Sequence, residues 1–343
     1  MSAPPIRWGI LGTGNIAGQF CKGVGHSQRG SLAAVGSRQK ASAETFARAH
    51  DIAAAHGDYD LLLADANVDA VYISLPNSLH HSWTIKALRA GKHVLCEKPI
   101  AMNAAEAAEM FDVARQSGRV LAEAFMYRSN PLTLAVKRAV DGGAIGQVRL
   151  IRTSFCYRTN KIASNIRFDT ALGGGGLMDI GCYCINFSRH FADEEPTRVT
   201  AAAHVHESGV DDLVAGTLQF PSGVLASFNC GMIAHADNTA YLCGSDGFIE
   251  VPVPWKPPMV EAVYVLGRGI PPKMDGGSPR PQGPLPRETV KVPVHGELYG
   301  MEADDFATAV LDGTPPRVTA EDSIGNMRVL DQVRTEIGFA LGH

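Results

Sequence analysis

Three polar residues stand in an otherwise apolar segment, GGGGLMDIGCYCIN, which spans residues 173–186. A helix that begins near Gly176 would place Asp179, Tyr183 and Asn186 on one face, because they follow one another at spacings of four and three. The remaining side chains are apolar nearly all round, which predicts a buried helix. A buried polar group without a hydrogen-bond partner costs about 1–3 kcal/mol, so three in line favour an active site. Local capping and a satisfied core tyrosine are the structural alternative.

The segment HVLCEKPIAMN supplies a cation that could act with this tyrosine. Lys98 follows a predicted buried strand, at the carboxyl edge where doubly wound sheets bind ligands. Pro99 cannot continue a strand ladder, so it fixes the direction of the chain and holds the lysine at that edge. A free tyrosine has a pKa of about 10, and a neighbouring ammonium would lower it. By position alone, a solvated surface lysine is the alternative.

The stretch WGILGTGNIAGQF places a glycine-rich turn between an apolar strand and a helix. Such glycines let the backbone approach a diphosphate, which the free N–H groups and the dipole of the helix N-terminus stabilise. The strand before and the helix after predict a dinucleotide site, with a merely structural turn as the alternative. The predicted contacts of this turn are Gly12, Thr13, Gly14, Asn15 and Ile16.

The end of the second predicted strand indicates which dinucleotide is bound. NAD-specific sites keep an acidic residue there for the ribose 2′-hydroxyl, but this chain reads VGSRQK over residues 35–40. Ser37 could donate to a 2′-phosphate, while Arg38 and Lys40 supply positive charge. The sequence therefore predicts NADP rather than NAD, with a solvated basic loop as the alternative.

The elements that must hold these residues form two groups along the chain. Residues 6 to about 127 alternate apolar runs with helical stretches, which predicts a doubly wound parallel sheet in a Rossmann domain. Six strands of period-two alternation follow, which predict an open, mostly antiparallel sheet in a second, α+β domain. We therefore expect a dinucleotide-binding domain over 1–127 and a substrate-binding and oligomerisation domain over 128–343. The proline-rich residues 252–290 are predicted to form a surface excursion, and two closing helices could pack back on the first domain.

The composition limits the classes of partner. A net charge of −4 and a pI near 6.3 provide no electrostatic footprint for nucleic acid or an anionic membrane, so a small substrate is expected. We find no run of 18 uncharged apolar residues and no room for a signal peptide, which predicts a cytoplasmic location. The seven cysteines lack the spacing of a zinc site, and no metal is expected.

Together, G-x-G-x-x-A, Ser-Arg, E-K-P and D-x-G-x-Y resemble the Gfo/Idh/MocA family of NAD(P)-dependent oxidoreductases over essentially the whole chain. The segments GGGGLMDIGCYCINF and HESGVDDLVAGTLQF are most similar to the branch of dihydrodiol, D-xylose and glucose–fructose enzymes. The resemblance implies that Lys98 is catalytic and that Tyr183 is the acid/base. Many family members carry histidine at the tyrosine position. Asp179 would then orient a substrate hydroxyl or the lysine.

The resemblance also implies further contacts. Residues expected to line the cofactor are Leu75, Pro76, Asn77, His80, Glu97 and Arg128. For Arg128, an interdomain salt bridge is the alternative. Residues expected to contact the substrate are Phe155, Tyr157, Arg158, Arg167, Asp179, Tyr183 and Asn186.

The expected activity is hydride transfer between NADP and a sugar hydroxyl or carbonyl, with D-xylose or another aldose oxidised at C1 as the first candidate. Oxidation of trans-dihydrodiols and reduction of a keto-sugar such as 1,5-anhydrofructose are alternatives. A non-catalytic NADP-binding sensor is an alternative of another class. An exchanging cofactor is expected, together with a homodimer or homotetramer that pairs through the open sheet.

Overall fold

The first half of the chain is built on a six-stranded parallel sheet. The structure is a computed structural model that describes residues 4–269 and 286–339. The strand order is β3-β2-β1-β4-β5-β6, so the order reverses between β1 and β4. A ligand crevice forms at such a reversal, beyond the carboxyl ends of the strands. The strands are β1 Ile6–Leu11, β2 Gly30–Gly36, β3 Ala54–His56, β4 Ala70–Ile73, β5 His93–Glu97 and β6 Leu121–Ala124.

Helices cover this sheet, which explains why its central strands read as unbroken apolar runs. All four residues of β4 and all four of β6 are buried. The helices are α1 Asn15–Val24, α2 Lys40–Ala49, α3 Tyr59–Leu63, α4 His80–Arg89 and α5 Ala104–Ser117. After this first sheet, α6 spans Pro131–Asp141 and leads into the second half of the chain.

The second half is built on an eight-stranded sheet of order β14-β13-β12-β11-β7-β10-β9-β8. Only the β10–β7 pair is parallel within the described residues, so the predicted fold class is confirmed. The strands are β7 Val148–Cys156, β8 Arg198–Val205, β9 Asp211–Gln219, β10 Leu225–Gly231, β11 Ala240–Gly244, β12 Gly247–Val251, β13 Glu261–Arg268 and β14 Arg287–Pro293.

The prediction of a surface excursion over 252–290 is wrong in part. Strand β13 lies inside this range and pairs with both β12 and β14. Its alternate residues Ala262, Tyr264 and Leu266 are buried against the core, a period-two pattern that the flanking prolines obscured. Residues 270–285 of the predicted excursion lie outside the described residues.

The helix that carries the polar residues begins at Gly176, as predicted. Its first turn, Leu177–Gly181, is a π turn, and α7 continues from Cys182 to Ala192. Such single π turns occur frequently at functional sites, because they change the direction of the side chains that follow. The helix therefore carries Asp179 in the π turn and Tyr183 in the regular part.

The last two helices return to the first half of the molecule. Helix α8, Leu298–Asp312, packs on α1, and α9, Ala320–Glu336, packs on α5. The Phe306 ring lies 5.2 Å from the ring of Trp8, and the Ala104 N–H donates to Asp331 Oδ2 at 2.8 Å. The two sheets are thus joined by the chain end as well as by α6. Among residues 4–269 and 286–339, no helix combines the length and apolar character that a bilayer crossing needs.

Candidate active site

A cleft of about 680 Å³ lies between the carboxyl edge of the first sheet and the helix that starts at Gly176. The strand ends of the first sheet form one wall, and β7 with its following loop forms the other. Sequence-predicted residues that line the cleft are Gly14, Asn15, Ile16, Leu75, Asn77, His80, Glu97, Lys98, Phe155, Tyr157, Arg167, Asp179 and Tyr183. The structure therefore brings the predicted dinucleotide turn, the lysine and the tyrosine to one place.

Asp179 is the centre of an ionic cluster in this cleft. Its backbone carbonyl accepts a 2.7 Å hydrogen bond from Lys98 Nζ, which lies 3.7 Å from Asp179 Oδ1. Its other carboxylate oxygen accepts from the Tyr157 hydroxyl and from Arg167 Nε, each at 2.8 Å. Burial raises the pKa of Asp179, but Lys98 and Arg167 outweigh it and the net pKa is lowered. The carboxylate is therefore ionised and holds two cations.

Lys98 remains charged although it is buried. Burial lowers its pKa, but the Asp179 carboxylate together with Cys182 and Glu97 outweighs that effect, so the net pKa is raised. Its ammonium lies 5.1 Å from the centroid of the Tyr183 ring. The lysine is thus a permanent hydrogen-bond donor at the base of the cleft.

The environment of Tyr183 differs from the sequence expectation. Its side chain is packed edge-on against Phe125, Phe155 and Trp255, and its hydroxyl donates to Met126 Sδ at 3.2 Å. Burial, followed by the Glu97 carboxylate, raises the pKa of this phenol well above its usual value. The expectation that Lys98 lowers this pKa is wrong, because the ammonium faces the ring and donates to the Asp179 carbonyl. The hydroxyl is therefore protonated at neutral pH.

The dinucleotide turn has the geometry that a diphosphate needs. Gly12 has a φ of +105°, and a Cβ there would lie 3.0 Å from Ser74 Oγ. Within the residues that the structure describes, no atom lies within 4 Å of a Cβ built on Gly14, and no side chain caps the N-terminus of α1. The first N–H groups of this helix thus face open space, which suits an anion.

A second small cavity lies beside this turn. Thr13 and α2 residues from Ala41 to Ala49 line a space of about 520 Å³. Ser37 is 8% exposed, Arg38 is exposed, and the Lys40 ammonium donates to the Ala55 carbonyl. A serine and a cation at this point, without a carboxylate, are the donor set that a 2′-phosphate requires.

His80 and Asn77 tie the walls of the cleft together. The His80 ring nitrogens lie 2.9 Å from the Pro99 and Leu75 carbonyl oxygens, so the imidazole joins the ends of β4 and β5. Asn77 Nδ2 donates to the Gly173 carbonyl at 2.8 Å, which links the first sheet to the glycine run. Glu97 is buried and accepts from the Tyr72 hydroxyl. Pro76 precedes this turn and does not line the cleft.

Two predicted contacts lie elsewhere. Asn186 is fully buried and accepts from the Tyr127 hydroxyl at 2.5 Å and from Arg128 Nη1 at 3.1 Å. Arg128 also forms a 2.7 Å ion pair with Asp322 at the start of α9. The structure therefore contradicts a substrate role for Asn186 and a cofactor role for Arg128, and it supports the salt-bridge alternative. The π turn changes the direction in which Asn186 points relative to a regular helix. Asp322 lies too far along the sequence for its pairing with Arg128 and Asn186 to have been predicted.

Arg158 also lies away from the cleft. Its side chain is exposed, and its backbone forms an isolated antiparallel β-bridge with Ile233. The preceding residue, Tyr157, lines the cleft. Successive residues of an extended chain point to opposite sides, so only one of the two can face the site.

Several residues in and behind the wall of the cleft were missed by the sequence analysis. The buried Trp255 stacks on the cleft residue Phe155 with ring centroids 5.4 Å apart and an interplanar angle of 9°, and it lies beside Tyr183. Its position in a proline-rich segment concealed it, although a lone tryptophan there was a usable signal. Further cleft residues that were not predicted are Gln19, Met126, Lys161, Lys256 and Tyr299.

The glycine run stands where side chains would clash with the rest of the protein. A Cβ on Gly175, whose φ is +116°, would lie 2.2 Å from Asp211 Oδ1. A Cβ on Gly174 would lie 2.5 Å from the Arg167 carbonyl oxygen. The glycines line the cleft, but the protein's own packing and backbone conformation already require them.

Comparisons with known proteins agree with this geometry. The profile of the oxidoreductase family with an NAD-binding Rossmann fold matches residues 6–125, and the GFO/IDH/MocA C-terminal domain matches residues 133–250. The chain is 38% identical to trans-1,2-dihydrobenzene-1,2-diol dehydrogenase of Mus musculus over 74% of this chain and 76% of that one. It is 34% identical to D-xylose 1-dehydrogenase (NADP(+)) 2 of Haloferax volcanii over 96% of each.

A solved structure is similar over the whole fold. A 3-ketoreductase from Actinomadura kijaniata, in complex with NADP and TDP-benzene, superimposes with a TM-score of 0.85 and 32% identity. The alignment covers 97% of this chain and 98% of that one. The two profile matches, the whole-chain relatives and the shared fold all lead to one assignment: the chain belongs to the GFO/IDH/MocA family of oxidoreductases.

Proposed function

We propose that this enzyme transfers a hydride between NADP and a carbohydrate hydroxyl or carbonyl, with Tyr183 as the acid/base and Lys98 as its partner. The observation that carries the proposal is the meeting of Lys98, Asp179 and Tyr183 in one cleft with the uncapped N-terminus of α1. The first candidate substrate is D-xylose or another aldose, oxidised at C1. The D-xylose dehydrogenase of Haloferax volcanii, similar over 96% of its length, supports this choice.

NADP is the cofactor. The NADP-dependent relative and the NADP complex of the ketoreductase agree with the donor set at the end of β2. Gly12 and Gly14 leave room for the diphosphate, and Ser37 with Arg38 would hold the 2′-phosphate. When bound, the nicotinamide supplies or accepts the hydride at its C4 atom.

The residues of the chain carry out the proton transfer. In oxidation, Tyr183 first releases its own proton to solvent and then, as the phenolate, takes the proton of the substrate hydroxyl; in reduction, the protonated phenol gives a proton to the carbonyl oxygen. Lys98 donates a hydrogen bond to the same oxygen and stabilises negative charge that develops there. Asp179 keeps this ammonium charged and in place. The Phe155 ring, which lines the cleft and is backed by the buried Trp255 ring, offers an apolar surface against which a sugar ring can lie, and it keeps water from the reacting carbon.

A second candidate is the reduction of a keto-sugar. The raised pKa of Tyr183 favours this direction, because a protonated phenol can donate to a carbonyl oxygen without first losing its proton. The similarity to a 3-ketoreductase supports the same direction. The name of the mouse relative gives a third reaction, the oxidation of a trans-diol. Tyr183 and Lys98 would act on the hydroxyl of a flatter ring in that case.

A substrate panel with the variant Tyr183→Phe tests the proposal. Aldoses, inositols, glycosides, a trans-dihydrodiol and keto-sugars are assayed with NADP(H) and NAD(H) by absorbance of the reduced nicotinamide. We expect turnover with NADP(H), and a kcat lowered by about 10²- to 10⁴-fold in the variant, because the acid/base is lost. Tyr157→Phe is the matched control, since it removes a phenol of the same cleft and should change kcat much less.

Each result selects among the candidates. Undiminished kcat in Tyr183→Phe would overturn the acid/base assignment. NADPH consumption with keto-sugars but no NADPH from aldoses would favour the second candidate. NADPH binding without turnover of any compound would favour a cofactor-binding sensor.

We also infer that two or four copies of the chain pair through the open face of the second sheet. This face is exposed towards one edge of the sheet, where Ala202 on β8 and Ala215 and Thr217 on β9 are exposed. It is concave, with a volume of about 760 Å³, and is lined largely by small and hydroxylated side chains. A broad, nearly uncharged sheet face of this kind is suited to packing against a second copy.

A further inference from the structure

Lys256 reaches across the cleft from the second sheet to the dinucleotide turn. It lies between β12 and β13, directly after Trp255, whose indole N–H donates to the Ser154 carbonyl at 2.8 Å and whose ring stacks on Phe155. This tryptophan fixes the backbone from which the lysine extends. The Lys256 ammonium donates to Gln19 Oε1 at 3.3 Å, one turn into α1.

The charge of Lys256 is not balanced within the described residues. No carboxylate there lies within 4 Å of its ammonium, whereas Lys98 and Arg167 both contact Asp179. Burial, followed by the nearby Lys98, lowers the pKa of Lys256, while Glu97 and Asp179 offset only part of this. A cation in such a position is stabilised when an anion enters beside it.

The anion that fits this position is a diphosphate. The N-terminus of α1 has no side-chain cap, and the space in front of Gly14 is open. The N–H groups of this helix are neutral donors, so they leave most of the charge of a diphosphate unbalanced. The ammonium beside Gln19 is the cation that reaches this turn from the opposite wall.

We propose that Lys256 binds the diphosphate of NADP from the second half of the chain. The cofactor is then held from both sides of the cleft, by the backbone of the first sheet's glycine turn and by a cation anchored on the second sheet. Cofactor binding would therefore draw the two walls together. Part of the affinity for NADP would be lost if the second half contributed no charge.

Calorimetric titration of the full chain with NADPH tests this inference without an activity assay. We expect Lys256→Gln to weaken NADPH binding at least about tenfold, since a charge-assisted hydrogen bond is lost. Adenosine 2′-phosphate, which lacks the diphosphate, should bind both proteins within about twofold of each other. Lys256→Arg should recover most of the NADPH affinity, because it keeps the charge.

Lys161→Gln is the matched control, because it removes one lysine charge from the substrate side of the same cleft. It should leave NADPH binding within about twofold of the wild type. The inference is overturned if Lys256→Gln binds NADPH as tightly as the wild type, if Lys161→Gln weakens it equally, or if Lys256→Gln loses adenosine 2′-phosphate as well. If the wild-type chain bound no NADPH, that result would overturn the cofactor assignment instead. Thermal unfolding of each variant checks that the substitution has not caused misfolding.

Discussion

Asp179 is the residue on which the chemistry of the cleft depends most directly. It contacts Lys98, Arg167 and Tyr157, and its ionised carboxylate keeps the lysine charged against the effect of burial. Removal of that carboxylate would leave the largely buried Lys98 ammonium and the half-exposed Arg167 guanidinium without their shared partner. A buried cation that loses its partner releases its proton more readily.

Asp179→Asn should therefore shift the pH profile of the enzyme. Asp179 raises the pKa of Lys98, so its loss lowers that pKa, and the ammonium deprotonates at lower pH. Activity that needs the charged lysine is present below this pKa and lost above it. We expect the alkaline limb of kcat/KM to move to lower pH, measured from pH 6 to pH 10. Tyr157→Phe, which removes an uncharged partner of the same carboxylate, should keep the wild-type limb. An unshifted limb in Asp179→Asn would contradict this role.

At the scale of elements, the glycine run and the π turn set the position of the helix that carries Asp179 and Tyr183. Asp211 on β9 accepts from the Leu177 N–H at 2.6 Å, which satisfies one of the free donors at the helix start. Gly175 passes directly over this carboxylate. The second sheet thus fixes the start of the helix, and the helix in turn fixes Asp179 and Tyr183.

Gly175→Ala should be far more destabilising than an alanine at another glycine of positive φ. Gly143, with a φ of +75° and no atom within 4 Å of a built Cβ, is the matched control. Its replacement should cost about 1–2 kcal/mol of unfolding free energy from backbone strain alone. Gly175→Ala adds the contact with Asp211, so we expect a larger loss in urea denaturation and a lower kcat. If both variants lost the same unfolding free energy, the contact between the new Cβ at position 175 and Asp211 would carry no cost.

At the scale of the whole molecule, the two halves are joined by polar contacts as well as by the cleft. Arg128 and Arg189 both pair with Asp322 at the start of α9, and α8 covers α1. The cleft walls are therefore supported by buried ion pairs, and the two partners of each pair lie more than 130 residues apart in the sequence. The open face of the second sheet is the large surface that these contacts leave uncovered.

The proposed pairing through that face predicts a concentration-stable oligomer. Sedimentation equilibrium should give twice or four times the 36.5 kDa mass of the chain. Thr217→Arg places an unpaired charge in the concave part of the face and should lower the mass to that of a monomer. A monomeric wild type, or an unchanged mass in the variant, would contradict the proposal. Asp312→Arg, an exposed change on α8 away from this face, is the charge control.

The sequence by itself determined the fold class, the family and the core of the site. Glycine spacing between a strand and a helix identified the dinucleotide turn, because local backbone geometry depends on neighbouring residues. Strand ends of a parallel sheet meet at one edge, so Lys98 could be assigned to that edge without coordinates. Period-two alternation gave six of the eight strands of the second sheet, and dense prolines concealed β13.

Only the tertiary structure decided which side chains share the cleft and what charge they carry. Arg128 and Asn186 bind Asp322 instead of lining the cleft, and Asp322 lies 194 and 136 residues from them along the chain. Trp255 and Lys256 belong to a proline-rich segment that was predicted to lie on the surface. In the structure Lys256 lines the cleft, and Trp255 packs behind the cleft residue Phe155. The Tyr183 pKa rose because burial outweighs a lysine that faces its ring. Long-range contacts and desolvation depend on the packed fold, so no local pattern could have determined them.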